Sequence, residues 1–253
     1  MARPDDFGAS EGQPAGDQRG DPLVHRPSLW IHGAGLSGST WQEMTQHLPL
    51  ARTPDLPGHG AAPFCTPPRV EGFAGALLPD VPHGSVLIGH SLGGMVALEL
   101  TARAPGRTAA LILIEAIPTL RDRMLRLWSA RVTARLLTSL PPRMIAWLSG
   151  FGQSDAAKTE VRAQLARHPR KSLSAALEAA LAYDGRPHLA AIEVPTLVVT
   201  GRNNRATHRG AAMMAAQIPG AEDVMLPGGH MLHCDNPEGL RHAIDDFLHR
   251  RLG

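Results

Sequence analysis

Cysteine is scarce: Cys65 and Cys234 are the only two in 253 residues, far apart and without metal-ligand spacing. That excludes a disulfide framework and a cysteine-held metal, and leaves each as a small buried or half-buried side chain. Long apolar runs are missing too. None approaches the roughly 18 residues of a membrane span, so no membrane association is expected. The stretch from Met1 to Pro22 lacks the basic-then-apolar order of an export signal. Its Gly8, Gly12, Gly16 and Gly20, set among Asp and Gln, predict a disordered tail over residues 1–22 and a cytoplasmic protein. Strong charge of either sign is also absent, and a net charge of +2 implies no nucleic-acid partner.

What the chain has is enough apolar material for one sizeable core. At 43% hydrophobic, it reads as a single α/β domain carrying an insertion. Its charge is unevenly placed. Between Pro118 and Ala190 there are twelve Lys and Arg against five Asp and Glu, an excess of +7 that leaves −5 for the remainder.

Short apolar runs alternate with helical ones. Ser28 to Ile31 predicts a strand that enters the glycine-rich turn His32-Gly33-Ala34-Gly35, whose backbone N–H groups can bind an anion. Helix is expected from Thr40 to His47, a strand from Leu50 to Thr53 ahead of Asp55-Leu56-Pro57-Gly58-His59-Gly60, and a helix from Val70 to Leu78. Strands follow over 109–115, 196–201 and 223–226, with a closing helix from Glu238 to Leu252. Between them, residues 118–190 change to helical periodicity, with helices at 155–168 and 171–183 and an earlier amphipathic one carrying Met124 and Trp128. The pattern predicts a doubly wound, mostly parallel sheet of six to seven strands. Its core spans 23–117 and 191–253, and 118–190 forms a helical cap.

The densest signal is Ser85-Val86-Leu87-Ile88-Gly89-His90-Ser91-Leu92-Gly93-Gly94. A strand stops at a Gly-x-Ser-x-Gly turn and a helix starts at once. Gly89 and Gly93 lack Cβ atoms, so strand and helix approach closely while Ser91 is forced into a sharp turn with its hydroxyl exposed. A serine hydroxyl needs an imidazole to take its proton. Of thirteen histidines, His230, on the Gly-rich loop after the last strand, is the best placed, with His233 in reserve. His32, His59 and His90 sit inside turn motifs where their backbones matter.

Taken in this order, the motifs His32-Gly33-Ala34-Gly35, Asp55 to Gly60, Gly89 to Gly94, the strand Ile192 to Gly201 and Gly229-His230 resemble the α/β-hydrolase fold superfamily over nearly everything after residue 25. The resemblance implies Ser91 as nucleophile, His230 as base, and an oxyanion hole from the backbone N–H groups of Ala34 and Leu92. It also implies a cap over the site, and neither metal nor organic cofactor. One position departs. Relatives place an aspartate three residues after the glycine that ends the strand at 196–201, and this chain has Asn204. An amide cannot offset an imidazolium charge. Glu115, at the end of the preceding strand, emerges at the same sheet edge, and some members of the superfamily carry their acid there. It is the candidate third member, with Asp122 and Asp235 as alternatives.

A serine at the turn argues against halides and epoxides, for which this superfamily uses aspartate, and leaves esters, thioesters, lactones, amides and some C–C bonds. Met124, Trp128 and Trp147 are candidates to line an acyl pocket, or to form the cap's own core. The expected substrate is a small carboxylic ester or thioester. The basic cap suggests an acidic carrier protein or a CoA thioester as partner, since carrier-protein methyl-ester hydrolases of this superfamily bind an acidic partner through a basic cap. A degenerate hydrolase retained as a small-molecule binder and an acyltransferase on the same site are the alternative readings.

Overall fold

The computed structural model describes residues 20–121 and 154–253. The expected tail, apart from residues 20–22, and Asp122, Met124, Trp128 and Trp147 lie outside them. Six strands form one parallel sheet in the order β2-β1-β3-β4-β5-β6, with β1 Ser28–Ile31, β2 Ala51–Arg52, β3 Ser85–His90, β4 Thr108–Ile114, β5 Thr196–Gly201 and β6 Glu222–Leu226. The four central strands are buried along almost their whole length, as continuous runs of Val, Ile and Leu require when both faces are covered. The edges differ: β2 has two residues, and β6 alternates between half-buried and exposed.

Strand periodicity divides the core into two layers. Leu29, Ile31, Leu87, Leu111, Leu113 and Val198 face one side. There they pack on α2 (Val70–Leu77), on α3 (Leu92–Arg103) and, across the gap in the described chain, on α6 (Arg205–Gln217). Trp30, Ile88, Ile112, Ile114 and Val199 face the other, against Met44 of α1 (Gln42–Thr45) and against Ile244 and Phe247 of α8 (Pro237–Leu252). Burial of each such side chain contributes roughly 1.5–3 kcal/mol.

Two local expectations are revised. The helix expected over Thr40 to His47 is a 3-10 turn, Gly38–Trp41, followed by the single turn of α1. Its start is pinned because the Gly38 N–H donates to Asp55 Oδ1 at 2.8 Å and no Cβ would fit there against the Thr53 carbonyl. Leu23 to His25 form turns and bends, so among the described residues no antiparallel strand precedes β1 and the sheet has six strands, within the expected six to seven. Asp21, inside the expected tail, is already fixed to the core through Leu23 N, His47 and Arg241.

The helical excursion contributes α4 (Asp155–Arg167) and α5 (Arg170–Ala182). It leaves and returns at one place. Gly185 N–H donates to Pro118 O at 2.8 Å, and Thr119 bridges Asp184 antiparallel. Polar links to the body hold it down, two of them buried at one end. Gln164, buried on α4, accepts from Ser37 Oγ at 2.8 Å and donates to Ser39 Oγ at 3.0 Å. Tyr183 donates to the buried Glu99 carboxylate of α3 at 3.2 Å, and burial, reinforced by that carboxylate, pushes the phenol pKa up.

Candidate active site

The site lies at the carboxyl ends of β1, β3, β4 and β5, where open parallel sheets present their loops. Ser91 follows β3 with φ 54° and ψ −115°, a left-handed conformation that a serine adopts only under constraint. The constraint is visible. Ser91 N donates to Ile114 O at 2.9 Å, and its carbonyl accepts from Gly94 N. At Gly89 and Gly93 an added Cβ would strike the backbone of Gly93 and of Ile31 respectively, so strand and helix touch with no room for a side chain.

Ser91, His230, Ala34 and His90 line one cavity of about 250 Å³. Its walls come from Leu36 and Met231 of the core loops and from Val161, Leu165, Leu173 and Leu177 of α4 and α5. These four cover residues were not singled out in the sequence, although each pair stands at i, i+4 spacing on its helix. The Ala34 and Leu92 N–H groups have no backbone acceptor among the described residues.

His230 sits on the loop after β6. Its ring packs 4.8 Å from that of His90, and its carbonyl accepts from His90 Nε2 at 2.8 Å. The loop is held at its other end by Asp235, whose carboxylate accepts from Gly229 N at 2.7 Å and from Ser154 N at 3.2 Å. Asp235 therefore fixes the loop backbone and does not meet the imidazole. His233 is no substitute base: it is buried against Trp41 and bonded through Nε2 to Thr40 Oγ1 at 2.9 Å.

Glu115 is the carboxylate that reaches His230, with Oε2 3.5 Å from Nδ1. It ends β4 with φ 51°, and it and Ser91 are the only non-glycine residues with positive φ among the described residues. The carboxylate is buried and heavily solvated by the protein: Oε1 accepts from Gly201 N, and Oε2 from Asn204 Nδ2 and from Thr207 Oγ1, the last at 2.7 Å. Three donors around one buried charge offset its desolvation. Thr207 was missed in the sequence; its signal is the three-residue step from Asn204, one helical turn along α6. Asn204 Nδ2 also stands 2.9 Å from His230 Nδ1.

The glycine-rich turns expected to act through their backbones are braced by side chains as well. His32 Nε2 accepts from Leu56 N at 2.9 Å, and His59 Nε2 from Gly35 N at 3.3 Å, so each links the loop after β1 to the loop after β2. Acceptance requires neutral rings. Burial, reinforced for His32 by His59, lowers His32 to about 3, and burial lowers His59 to about 4. Desolvation and the neighbouring His230 hold His90 well below the ordinary imidazole value, and the same two causes bring His233 to about 4.

This architecture has a family. Residues 29–243 match the family described as "Alpha/beta hydrolase family", and the chain belongs to it. Two relatives, the "Pimeloyl-[acyl-carrier protein] methyl ester esterase" proteins of Aromatoleum aromaticum and Nitrosospira multiformis, are 33% and 30% identical. Their matches cover 89% and 78% of this chain and 92% and 83% of theirs. Among solved structures, that of MenH from S. aureus superposes with a TM-score of 0.79 at 20% identity, covering 90% of this chain and 95% of the other. That likeness concerns the fold. No helix of the described residues is long and apolar enough to cross a membrane.

Proposed function

We propose that this ester-cleaving hydrolase works as a serine esterase, through an acyl-enzyme on Ser91. One observation supports the reading above the others: Ser91 and His230 line the same cavity while the buried Glu115 carboxylate stands 3.5 Å from His230 Nδ1. In this mechanism Ser91 Oγ attacks the ester carbonyl and His230 Nε2 takes its proton. The Ala34 and Leu92 N–H groups receive the oxyanion, a contribution of about 3 kcal/mol per donor in comparable sites. The imidazolium returns its proton to the departing alcohol or thiol. Water, deprotonated by the same ring, then frees the acid. Glu115 balances the imidazolium charge from the Nδ1 side.

The acyl group enters the apolar cavity between the core loops and the helices α4 and α5, which suits an uncharged chain. The relatives' names speak of a methyl ester on an acyl-carrier protein. For this chain we propose a carboxylic ester, carried on an acidic carrier protein that meets the excess of positive charge between Pro118 and Ala190. The test is a p-nitrophenyl ester assay beside a carrier-linked methyl ester. Turnover of both, lost in Ser91→Ala, is the expected result; ligand binding without turnover would show a degenerate binder, and preference for an added alcohol over water would show a transferase. Carrier-linked turnover indifferent to salt and to Arg126→Glu with Arg131→Glu would remove the carrier.

A further inference from the structure

We propose that Asn204 is a positioning residue that stores His230 in a resting tautomer, with the ring proton on Nε2, and that turnover begins when Nδ1 passes from Asn204 to Glu115. The proposal rests on the reading of Ser91, His230 and Glu115 given above.

The identity of the amide atoms follows from the carboxylate. Glu115 Oε2 accepts, so the Asn204 atom against it must be Nδ2; turning the amide would set Oδ1 against a buried carboxylate oxygen. The same Nδ2 lies 2.9 Å from His230 Nδ1. An amide nitrogen only donates. Two nitrogens at that distance form a hydrogen bond only if the imidazole nitrogen presents its lone pair, which places the ring's single proton on Nε2. Glu115 Oε2, at 3.5 Å, is beyond ordinary hydrogen-bond length from the same nitrogen.

Asn204 is placed for this task rather than for the one its residue type usually performs. It stands at the first position before α6, where an asparagine oxygen commonly caps the helix, yet its side chain makes no cap bond. The amide is committed to Glu115 and His230 instead. A second acceptor is at hand as well: Thr207 Oγ1 lies 3.3 Å from Nδ2 and itself donates to Glu115 at 2.7 Å. When the ring releases Asn204, the freed amide hydrogen turns to Thr207, and the carboxylate keeps its donors throughout.

The chemistry follows from the proton's position. With Nε2 protonated, the ring offers the cavity a donor and cannot take the Ser91 proton. Exchange through solvent moves that proton to Nδ1, where Glu115 accepts it, and Nε2 becomes a base. No proton is gained or lost until Ser91 attacks. An enzyme so arranged rests inactive until ligand or loop motion closes the distance between His230 and Glu115.

The test is ¹⁵N NMR of the full chain labelled at histidine, at neutral pH, with the His230 signals assigned from His230→Gln. The wild type is expected to show Nδ1 unprotonated and Nε2 protonated. Asn204→Ala, and Asn204→Asp as the variant of equal size, are expected to move the proton to Nδ1 in at least one case. For Asn204→Ala, kcat on a p-nitrophenyl ester rises about tenfold with KM unchanged. A proton on Nδ1 in the wild type, or one that stays on Nε2 in both variants, overturns the proposal, as does a fall in kcat for Asn204→Ala. The spectra need no turnover. If Ser91→Ala matches the wild type in rate, the esterase reading fails while the tautomer assignment is still decided.

Discussion

The corner holding Ser91 and the corner holding Glu115 are built alike and read differently. Each residue follows a central strand, and each has a positive φ near 50° that its side chain does not favour. The Ser91 corner is signalled by neighbours in sequence, with glycines at 89 and 93 admitting the backbone contacts that force the turn. The Glu115 corner is made from Gly201, Asn204, Thr207 and His230, which reach it from two other stretches of chain. Strain supported locally leaves a motif. Strain supported by distant donors leaves only a residue type at a strand end.

Four experiments sharpen or break that comparison. The largest effect is expected for the first corner: Ser91→Ala lowers kcat on a p-nitrophenyl ester by about 10⁴–10⁶-fold, because no other nucleophile replaces it. Glu115→Gln follows, at roughly 10²–10⁴-fold, measured in the same assay. Equal losses in the two variants would mean that the corners act as one unit.

Acid should undo the first corner before the second, and the effect is read as a falling Tm. His32, His59, His90 and His233 brace the loops around Ser91 in neutral form, with pKa values lowered by burial. Unfolded, each binds its proton near pH 6.5, so the unfolded chain takes up more protons as pH falls. Their stability contribution is complete above pH 6.5 and is lost progressively toward pH 4, by up to about 1.4 kcal/mol per pH unit for each ring. A Tm that stays flat from pH 7 to pH 5 would contradict this.

Gly201→Ala tests the second corner's packing. An added Cβ would stand 2.5 Å from Gly229 O and 2.7 Å from Gly228 O, both backbone atoms, and 3.0 Å from Glu115 Oε1. A loss of about 2–3 kcal/mol in chemical denaturation is expected, with reduced turnover as the His230 loop shifts.

Sequence and structure agree where physics is local. The runs of Val, Ile and Leu located β3, β4 and β5 to within a residue or so, because a strand buried on both faces admits little else. The Gly-x-Ser-x-Gly turn and Gly229-His230 were legible for the same reason. The roles of Gln164, Thr207 and Asp235 were not, since each acts through hydrogen bonds to segments distant in the chain or to loop amides. Glu115 lies between the two cases: its strand end was visible, its three donors were not.

The junction at Pro118 and Gly185 has a consequence for how such enzymes diversify. A detour whose two ends clasp each other transmits little of its length to the body beneath, since closure entropy grows only with the logarithm of the span. The roof can therefore be shortened or lengthened within that seam while the reactive groups below stay in register, as long as its ties through Gln164 and Ser154 are kept. New substrates then become a matter of re-roofing rather than of rebuilding the floor.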